Sequence, residues 1–422
     1  MSKIKKITAQ EILNARSIPT LKVLVELENG IYANASVPSG ASTGQREALE
    51  LRDRNHRRFK GKGVKGAVFN VNQKLGPEVK GLEPDPKVID KYMIELDGTE
   101  NKSQVGANAI LGVSLAVARA GAKDQNLPLY KFIRQAYALP YIEFKLPTPL
   151  FNIINGGAHS DAGLDVQEHS LVPTGPDTFA KKLQMGVETF WALKNILQAN
   201  GFSTGVGYEG GFAPRLGSSF DVFEFLVKAF DLAQVRAGKD MFFGLDIAAS
   251  EFYIPKTGKY KFESKKRTAK EMLKIYDRWI KKYPICLMED PFDEDDWDAW
   301  VEFSQKMEKI DQDFLVIGDD LFTTNTDRLM LGLEKGAGNS ILIKPNQIGS
   351  LTETMECIKM ASENHFDFVI SHRSGETNDS FISDLAVATN APFIKAGAPN
   401  RGERVAKYNR LLEIERELNN KK

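Results

Sequence analysis

The sequence is poor in cysteine and carries no excess of charge. Its 422 residues include two cysteines, Cys286 and Cys357, and we expect two buried thiols in a reducing compartment, with no disulfide framework. Lysine and arginine total 56, and so do aspartate and glutamate, so no net field directs the whole chain toward nucleic acid or an anionic membrane. Binding partners must therefore be inferred from local sites.

Long apolar runs are also missing. No run reaches the length that spans a bilayer, and the basic start MSKIKKITAQEIL lacks the apolar core of a signal peptide. We therefore expect a cytoplasmic protein without membrane insertion, and surface display stays open as a secondary location. Hydrophobic residues make up 42% of the chain, and the length suits a large barrel with a smaller partner domain.

Two patterns divide the chain near residue 137. Before it, residues 4–37 alternate in the manner of strands, and segments with helical periodicity follow, which predicts an α+β domain over residues 1–137. The proline-rich stretch YALPYIEFKLPTP predicts a linker. After it, eight short apolar runs, most followed by an amphipathic helix, predict a mainly parallel (β/α)8 barrel over residues 138–422.

Charged or imidazole side chains interrupt the barrel strands at their ends. A strand buried on both faces should be apolar throughout. In a barrel the carboxyl ends of the strands converge on the face that carries active sites. Taken singly, each of these residues also fits a helix cap or a loop charge. They are Asp246, Glu289, Asp319, Lys344, His372 and Lys395.

The three acids in this set suit a metal ion. No cysteine and no cluster of histidines accompanies them, so their oxygen ligands favour a hard divalent cation, Mg²⁺ before Zn²⁺. The alternative is that the acids pair with the two lysines and hold no metal. A lysine buried beside a cation loses part of its preference for the charged form and can act as a base. Glu168 and Glu209 would then supply carboxyl groups across the site.

Two further segments have the composition of ligand-binding loops. SHRSGET, residues 371–377, places a guanidinium, hydroxyls and a glycine at a strand end, which suits phosphate or carboxylate. VPSGASTGQRE, residues 37–47, is rich in glycine and serine; it is either an ordinary connector or a lid that closes over a ligand.

The motifs taken together resemble enolase, phosphopyruvate hydratase, from about Ile4 to Leu418. They include SGASTG, EALELRD, NIINGGAHS, EGGFAP, EDPF, GDDLF, QIGSLTET, SHRSGET and RVAKYN, in this order. The resemblance implies an α/β chain, with a modified (β/α)8 TIM-type barrel and a smaller N-terminal α+β lid domain. It also implies reversible, Mg²⁺-dependent dehydration of 2-phosphoglycerate to phosphoenolpyruvate in glycolysis and gluconeogenesis.

The resemblance also implies the catalytic roles. Lys344 would take the proton from carbon 2, Glu209 would act as the acid that helps the carbon-3 hydroxyl depart, and Glu168 would lie beside Glu209. Removal of that proton builds a dianionic intermediate. Each cation in a closed site stabilises this charge by an amount on the order of several kcal/mol.

Metal and substrate ligands follow from the same resemblance. Two Mg²⁺ ions are implied, and the second arrives with the substrate and is held with the help of Ser42 on the lid. The implied ligands of the first ion are Asp246, Glu289 and Asp319. The implied substrate contacts are His159, Gln167, His372, Arg373, Ser374 and Lys395, of which Arg373 and Ser374 grip the phosphate.

The surroundings of the site depart from the usual pattern of the family. The unusual residues are Tyr208, His169, Pro392, Phe393 and Ala396. Tyr208 stands beside Glu209 where the family usually has aspartate, so we expect Tyr208→Asp to change the pH dependence of turnover, unless the ring packs into the barrel wall. A weakly active paralogue with a binding or surface-attachment role, and an enzyme acting on an acid sugar, are the alternative functions.

The family forms dimers, and a homodimer or higher homo-oligomer is implied here. A Glu–Arg contact across the dimer interface of the family is represented by Lys22 and Glu413, so both signs are reversed. We interpret the reversal as compensatory; unrelated surface drift is the alternative.

Overall fold

The structure is a computed structural model that describes residues 1–40, 44 and 46–420. Ser42, the implied ligand of the second Mg²⁺, lies outside the described residues.

The N-terminal part is a three-stranded antiparallel sheet covered by helices. Strand β1 (Ile4–Leu13) pairs with β2 (Pro19–Leu27), which pairs with β3 (Tyr32–Ser36). The helices are α1 (Lys65–Asn70), α2 (Gly76–Val79), α3 (Pro86–Asp97), α4 (Ala107–Asp124) and α5 (Leu129–Ala136), and a π-helical turn, Val71–Leu75, joins the first two. Helix α4 is buried almost all round because it lies between this sheet and the other helices, which confirms the predicted α+β character.

The remainder of the chain forms a closed barrel of eight strands, and all eight predicted apolar runs are among them. A small three-stranded sheet, formed by β7 to β9, stands outside the barrel. The strands of this part are β4 (Thr148–Asn155), β5 (Glu168–Val172), β6 (Phe242–Asp246), β7 (Tyr253–Ile254), β8 (Lys259–Phe262), β9 (Lys265–Arg267), β10 (Ile285–Glu289), β11 (Leu315–Gly318), β12 (Ser340–Ile343), β13 (Asp367–Ser371) and β14 (Phe393–Lys395).

One barrel strand runs against the others. Strand β5 is antiparallel to both β4 and β6, whereas the other neighbouring pairs in the barrel are parallel. A loop joins β4 to β5 with no crossover α-helix among its residues, so β5 returns in the opposite direction. Two helices then connect β5 to β6 and restore the parallel order. The barrel is therefore a modified one, as the resemblance implied.

Helices surround the barrel and a packed apolar layer fills its lower half. The outer helices are α6 (Phe179–Ala199), α7 (Ser219–Leu232), α8 (Ala269–Lys282), α9 (Trp297–Ile310), α10 (Thr326–Lys335), α11 (Pro345–Ile348), α12 (Leu351–Glu363), α13 (Phe381–Ala388) and α14 (Gly402–Asn419). Inside the barrel, Leu150, Val172, Leu287, Ile317 and Val369 form part of one buried cluster. Because apolar side chains fill this half, the polar side chains lie at the other end of the barrel, where the parallel strands end.

Ion pairs and hydrogen bonds hold the N-terminal part against the barrel. Arg119 pairs with Asp379 at 2.6 Å, and the nearly buried Lys102 pairs with Glu353 at 2.8 Å. The thiols differ from the prediction in one respect. Cys357 is buried in α12, but Cys286 in β10 is only partly buried and packs against the apolar cluster of the lower barrel.

Candidate active site

The six polar residues predicted at strand ends do lie at the carboxyl ends of six barrel strands. Three of them are the last residues of β6, β10 and β14, and three directly follow β11, β12 and β13. Five of the six also line one cavity, together with the predicted His159, Gln167, Glu168, Glu209, Arg373 and Ser374. The sixth, Glu289, contacts Lys395 from below, so the structure brings the described members of the predicted site together.

The ammonium group of Lys395 is surrounded by three carboxyl groups of this cavity. Its Nζ lies 2.7 Å from Oε2 of Glu289, 3.1 Å from Oδ2 of Asp246 and 3.2 Å from Oε1 of Glu168. Burial alone would lower the pKa of Lys395, but these carboxylates outweigh it and raise that pKa well above its ordinary value. Lys395 is therefore a fixed positive charge.

Lys344 forms an ion pair with Asp319, whose other oxygen accepts a hydrogen bond of 2.9 Å from Gln347. Burial would lower the pKa of Lys344, but Asp319 more than offsets it, and the pKa lies above its ordinary value. The expectation from the sequence concerned a lysine buried beside a cation, and it stays a prediction. The pairing with Asp319 has to be weakened before Lys344 accepts a proton.

Glu168 and Glu209 form a buried carboxyl pair on the other side of the cavity. Asn152 donates to Oε2 of Glu209 at 2.9 Å, and Nδ1 of His159 lies 3.4 Å from Glu168 and 3.7 Å from Glu209. Burial, followed by the neighbouring Glu209, raises the pKa of Glu168 well above its ordinary value. Burial also opposes ionisation of Glu209, but His372 and His159 outweigh it and hold the pKa of Glu209 well below its ordinary value. The surroundings therefore drive the pKa values of the two carboxyl groups apart, that of Glu168 upward and that of Glu209 downward.

The segment of residues 37–47, which resembles a lid, contacts residues 371–377, which we call the phosphate-type loop. Arg373 makes a bidentate pair with Glu47, at 2.9 and 3.0 Å, and the backbones of Ser39 and Gly375 exchange hydrogen bonds of 2.9 and 3.0 Å. Gly375 has no room for a side chain, because a Cβ there would lie 2.6 Å from the carbonyl oxygen of Ser39. The sequence indicated this segment as a candidate lid, but it did not indicate that its last residue, Glu47, pairs with Arg373.

The carboxylates at the strand ends have the properties of a cation site. Oε1 of Glu289 is buried and has no hydrogen-bond partner among the described residues. Burial, and then Asp246, raises the pKa of Glu289 well above its ordinary value. A divalent cation would supply the missing partner and offset the repulsion, so the carboxylates at the strand ends suit a hard metal ion. Asp319 also forms a group with Asp290 and Asp320, whose ligand atoms lie within 4.8 Å of one another. Lys344 and Lys395 pair with the carboxylates at the strand ends, which is what the alternative from the sequence predicts.

Comparison with known proteins agrees with this geometry. The model of the enolase N-terminal domain matches residues 4–133, and that of the enolase C-terminal TIM barrel domain matches residues 143–422. An enolase of Elusimicrobium minutum is 51% identical over 422 residues, covering 100% of this chain and 97% of that protein. An enolase of Bdellovibrio bacteriovorus is 50% identical over 419 residues, covering 99% and 97%.

The chain belongs to the enolase family. This confirms the predicted fold and the predicted reaction, the dehydration of 2-phosphoglycerate to phosphoenolpyruvate. Enolases use Mg²⁺ and act on a small phosphorylated substrate, which agrees with the acidic groups and the arginine loop of the cavity. Among the described residues, no helix combines the length and the apolar character that crossing a membrane requires.

Tyr208, which departs from the enolase pattern, points away from the site. Its ring is 40% exposed, and the guanidinium of Arg16 stacks 4.3 Å from the ring centroid. The hypothesis that this ring packs into the barrel wall is therefore wrong. Tyr208 and Glu209 lie in a turn, and the carboxyl group of Glu209 enters the cavity whereas the phenol of Tyr208 stays at the surface.

The other departures lie behind the enolase site. His169 is fully buried on the outer side of β5, with its ring 5.6 Å from that of Phe223 in α7. Neither ring nitrogen has a hydrogen-bond partner among the described residues, and burial lowers the pKa of His169 to about 3. Phe393 packs on the apolar layer in the lower barrel, Ala396 is buried next to Lys395, and the carbonyl of Pro392 accepts from Thr148.

Proposed function

We propose that Lys344 removes the carbon-2 proton of 2-phosphoglycerate and that the Glu168–Glu209 pair delivers a proton to the departing carbon-3 hydroxyl. One observation carries the proposal: Lys344 and a pair of buried carboxyl groups, whose pKa values are shifted in opposite directions, line the same cavity. Glu209 is the member that would contact the hydroxyl, and Glu168 is the reservoir beside it. Positioned acid–base groups of this kind contribute about 10²- to 10⁴-fold to a rate.

The lysine needs a change in its surroundings to act as a base. Asp319 raises the pKa of Lys344, and a cation held by Asp319 would weaken that ion pair and lower the pKa of Lys344 again. Asp246, Glu289 and Asp319 would hold the first Mg²⁺, which stabilises the charge that develops on the substrate carboxylate. The resemblance to enolases alone supports Ser42 as a ligand of a second Mg²⁺ that arrives with the substrate.

The phosphate would bind to Arg373 and Ser374. Both are buried, and Arg373 already presents its planar fork to the carboxylate of Glu47, which has the same bidentate geometry as a phosphate edge. Lys395, His372, His159 and Gln167 line the remaining wall and would contact the rest of the substrate. Gln167 holds Asp246 through a 3.1 Å hydrogen bond and so also orients a metal ligand.

A coupled assay with 2-phosphoglycerate and Mg²⁺ tests these roles. We expect turnover by the wild type and at least about a 10³-fold loss in Lys344→Ala, with unchanged circular dichroism. Lys359, exposed on α12, provides the matched control Lys359→Ala, which should keep full activity. Folded wild-type protein without turnover would support the weakly active paralogue with a binding role. Turnover retained by Lys344→Ala would instead refute the assignment of the base.

We propose in addition that two copies of the chain form a dimer through the open side of the β1–β3 sheet. A groove of about 590 Å³ there is lined by groups of both charges, among them Lys22, Arg119, Asp379 and Glu403. A homodimer would keep the reversed Lys22–Glu413 contact, whereas pairing with an ordinary enolase would set like charges together.

Subunit exchange tests this proposal. We expect size exclusion to give at least a dimer, and mixing with a tagged standard enolase to give no mixed dimers. The double variant Lys22→Glu, Glu413→Arg should begin to exchange. Free exchange by the wild type would refute the compensatory reading of the reversed charges.

A further inference from the structure

Arg404 is fully buried near the start of α14 and reaches two loops of the site at once. Its guanidinium donates to the carbonyl of Arg373 at 2.6 Å, to that of Ser374 at 2.7 Å and to that of Tyr208 at 3.0 Å. The first two carbonyls belong to the phosphate-type loop, and the third directly precedes Glu209. One side chain therefore ties the loop of the proposed acid to the loop of the proposed phosphate grip.

The same guanidinium fixes the hydrogen on a histidine of the cavity. Nη1 of Arg404 lies 2.7 Å from Nδ1 of His372. A guanidinium has only donors, so Nδ1 must accept and carries no hydrogen. Burial lowers the pKa of His372 to about 4, so the ring is neutral near pH 7 and its one hydrogen is on Nε2. That nitrogen lies 3.2 Å from Oε2 of Glu209.

We propose that Arg404 is a positioning residue for the reaction. It holds His372 as the Nε2–H tautomer with that nitrogen facing Glu209, and it fixes the position of Glu209 relative to the phosphate-type loop. The inference rests on the proposed role of Glu209. It assigns to Arg404 no contact with substrate, and its effect passes through His372 and the two loops.

The backbone around Arg404 is shaped to admit this side chain. Gly397 has a φ of +86°, and a Cβ there would lie 2.8 Å from Cδ of Arg404. The next residue, Ala398, donates its N–H to the carbonyl of Glu209 at 3.0 Å. The turn after β14 therefore accommodates the arginine stem and at the same time holds the backbone of the acid. A lysine, whose donors share one nitrogen, cannot reach the separate acceptors that the planar fork reaches.

Histidine NMR tests the tautomer directly. The chain has 5 histidines, so ¹⁵N-histidine labelling gives a small set of signals, and the signal absent from His372→Gln identifies His372. In the wild type we expect His372 to be protonated on Nε2 only and to remain neutral down to about pH 5, since its pKa is about 4. An Nδ1–H tautomer in the wild type would overturn the proposal without any variant of Arg404.

Kinetics of two arginine variants separate positioning from anchoring. Arg401 donates to the carbonyl of Gly207 in the acid loop at 3.3 Å and has no contact with His372, so Arg401→Met is the matched control. In Arg404→Met we expect kcat to fall about 10- to 100-fold, a typical loss when a partner behind an active-site histidine is removed. The titration of His372 should move up by about one pH unit or more, because a neighbouring positive charge is lost. Arg401→Met should change neither quantity by more than about threefold or about 0.3 pH unit, small against those effects.

Several outcomes would contradict the proposal. An Arg404→Met enzyme with wild-type kcat and an unmoved His372 titration would overturn it, and so would an equal loss of kcat in both variants with His372 unchanged. If Arg404→Met does not fold, Arg404→Lys is measured in the same way and should show the same loss of kcat. Absence of turnover by the folded wild type would refute the proposed function but would not change the tautomer measured by NMR. Failure of the proposed function and failure of the role of Arg404 are therefore distinguishable.

Discussion

Lys344 and Lys395 face a group of buried carboxyl groups. The ion pairs between lysines and carboxyl groups influence which of these groups gives up or accepts a proton. Lys395 contacts three carboxyl groups and Lys344 one, so the acids outnumber the two lysines that pair with them. Against the effect of burial, His372 and His159 hold the pKa of Glu209 well below its ordinary value, whereas burial and Glu209 raise that of Glu168. At this scale, the state of each group follows from its partner more than from its own ordinary pKa.

His169 supports a prediction about stability. Its ring is buried without a hydrogen-bond partner among the described residues, which costs about 1–3 kcal/mol, and the phenyl ring of His169→Phe suits the contact with Phe223. We therefore expect His169→Phe to raise the free energy of unfolding by about 1 kcal/mol at pH 7.5, measured by urea titration. His365→Asn, at an exposed position, serves as the control.

The same residue gives a signed pH dependence. Folding lowers the pKa of His169 to about 3, while the unfolded chain titrates near the ordinary value of about 6.5. Between these values the unfolded state binds the extra proton, so stability is lost as the pH falls below about 6.5. We expect His169→Phe to lose less stability than the wild type between pH 7.5 and pH 5. Equal losses in the two proteins would show that His169 does not titrate in this way.

At the scale of elements, the loop that carries Glu209 is held from both domains. Arg16 of the β1–β2 connection stacks on Tyr208, and Arg404 of α14 donates to the carbonyl of Tyr208. These contacts explain how an acid on a loop keeps a fixed place opposite a base at a strand end. They also explain why Tyr208 is tolerated beside a catalytic residue.

Tyr208→Asp tests this placement. From the sequence, an aspartate at this position was expected to change the pH dependence of turnover. In the structure the side chain faces Arg16 and the solvent, so an aspartate there would pair with Arg16 and be screened from the cavity. We now expect the pH profile of kcat to shift by less than about 0.3 units, small against the effect of a close buried charge. A shift of one unit or more would show that position 208 acts on Glu209.

At the scale of the molecule, the barrel stores an unfavourable cluster of carboxylates that a cation would relieve. We expect millimolar Mg²⁺ to raise the midpoint of thermal unfolding, because a ligand at 100 times its dissociation constant contributes about 2.7 kcal/mol. Turnover should cease with EDTA and return with Mg²⁺. Glu289→Gln should abolish the thermal shift, whereas Glu363→Gln, exposed on α12, should leave it unchanged. The same Mg²⁺ shift in Glu289→Gln would place the ion elsewhere.

The sequence predicted much of the molecule because those features are local. Alternating residues predicted the β1–β3 sheet, and short apolar runs ending in polar residues predicted the barrel and its catalytic face. The direction of β5 was not local, since it depends on how its connections cross the barrel. The domain division at residue 137 stays a prediction, and so do the individual catalytic roles.

Sequence alone determined which residues stand at the ends of the strands, since burial on both faces requires apolar strands and leaves polar groups only where strands finish. Tertiary structure alone decided the partners of those residues. Arg373 meets Glu47 from 326 positions away, and Arg404 meets Tyr208 from 196. Electrostatic interactions and hydrogen bonds depend on distance in space, and no local pattern encodes that distance.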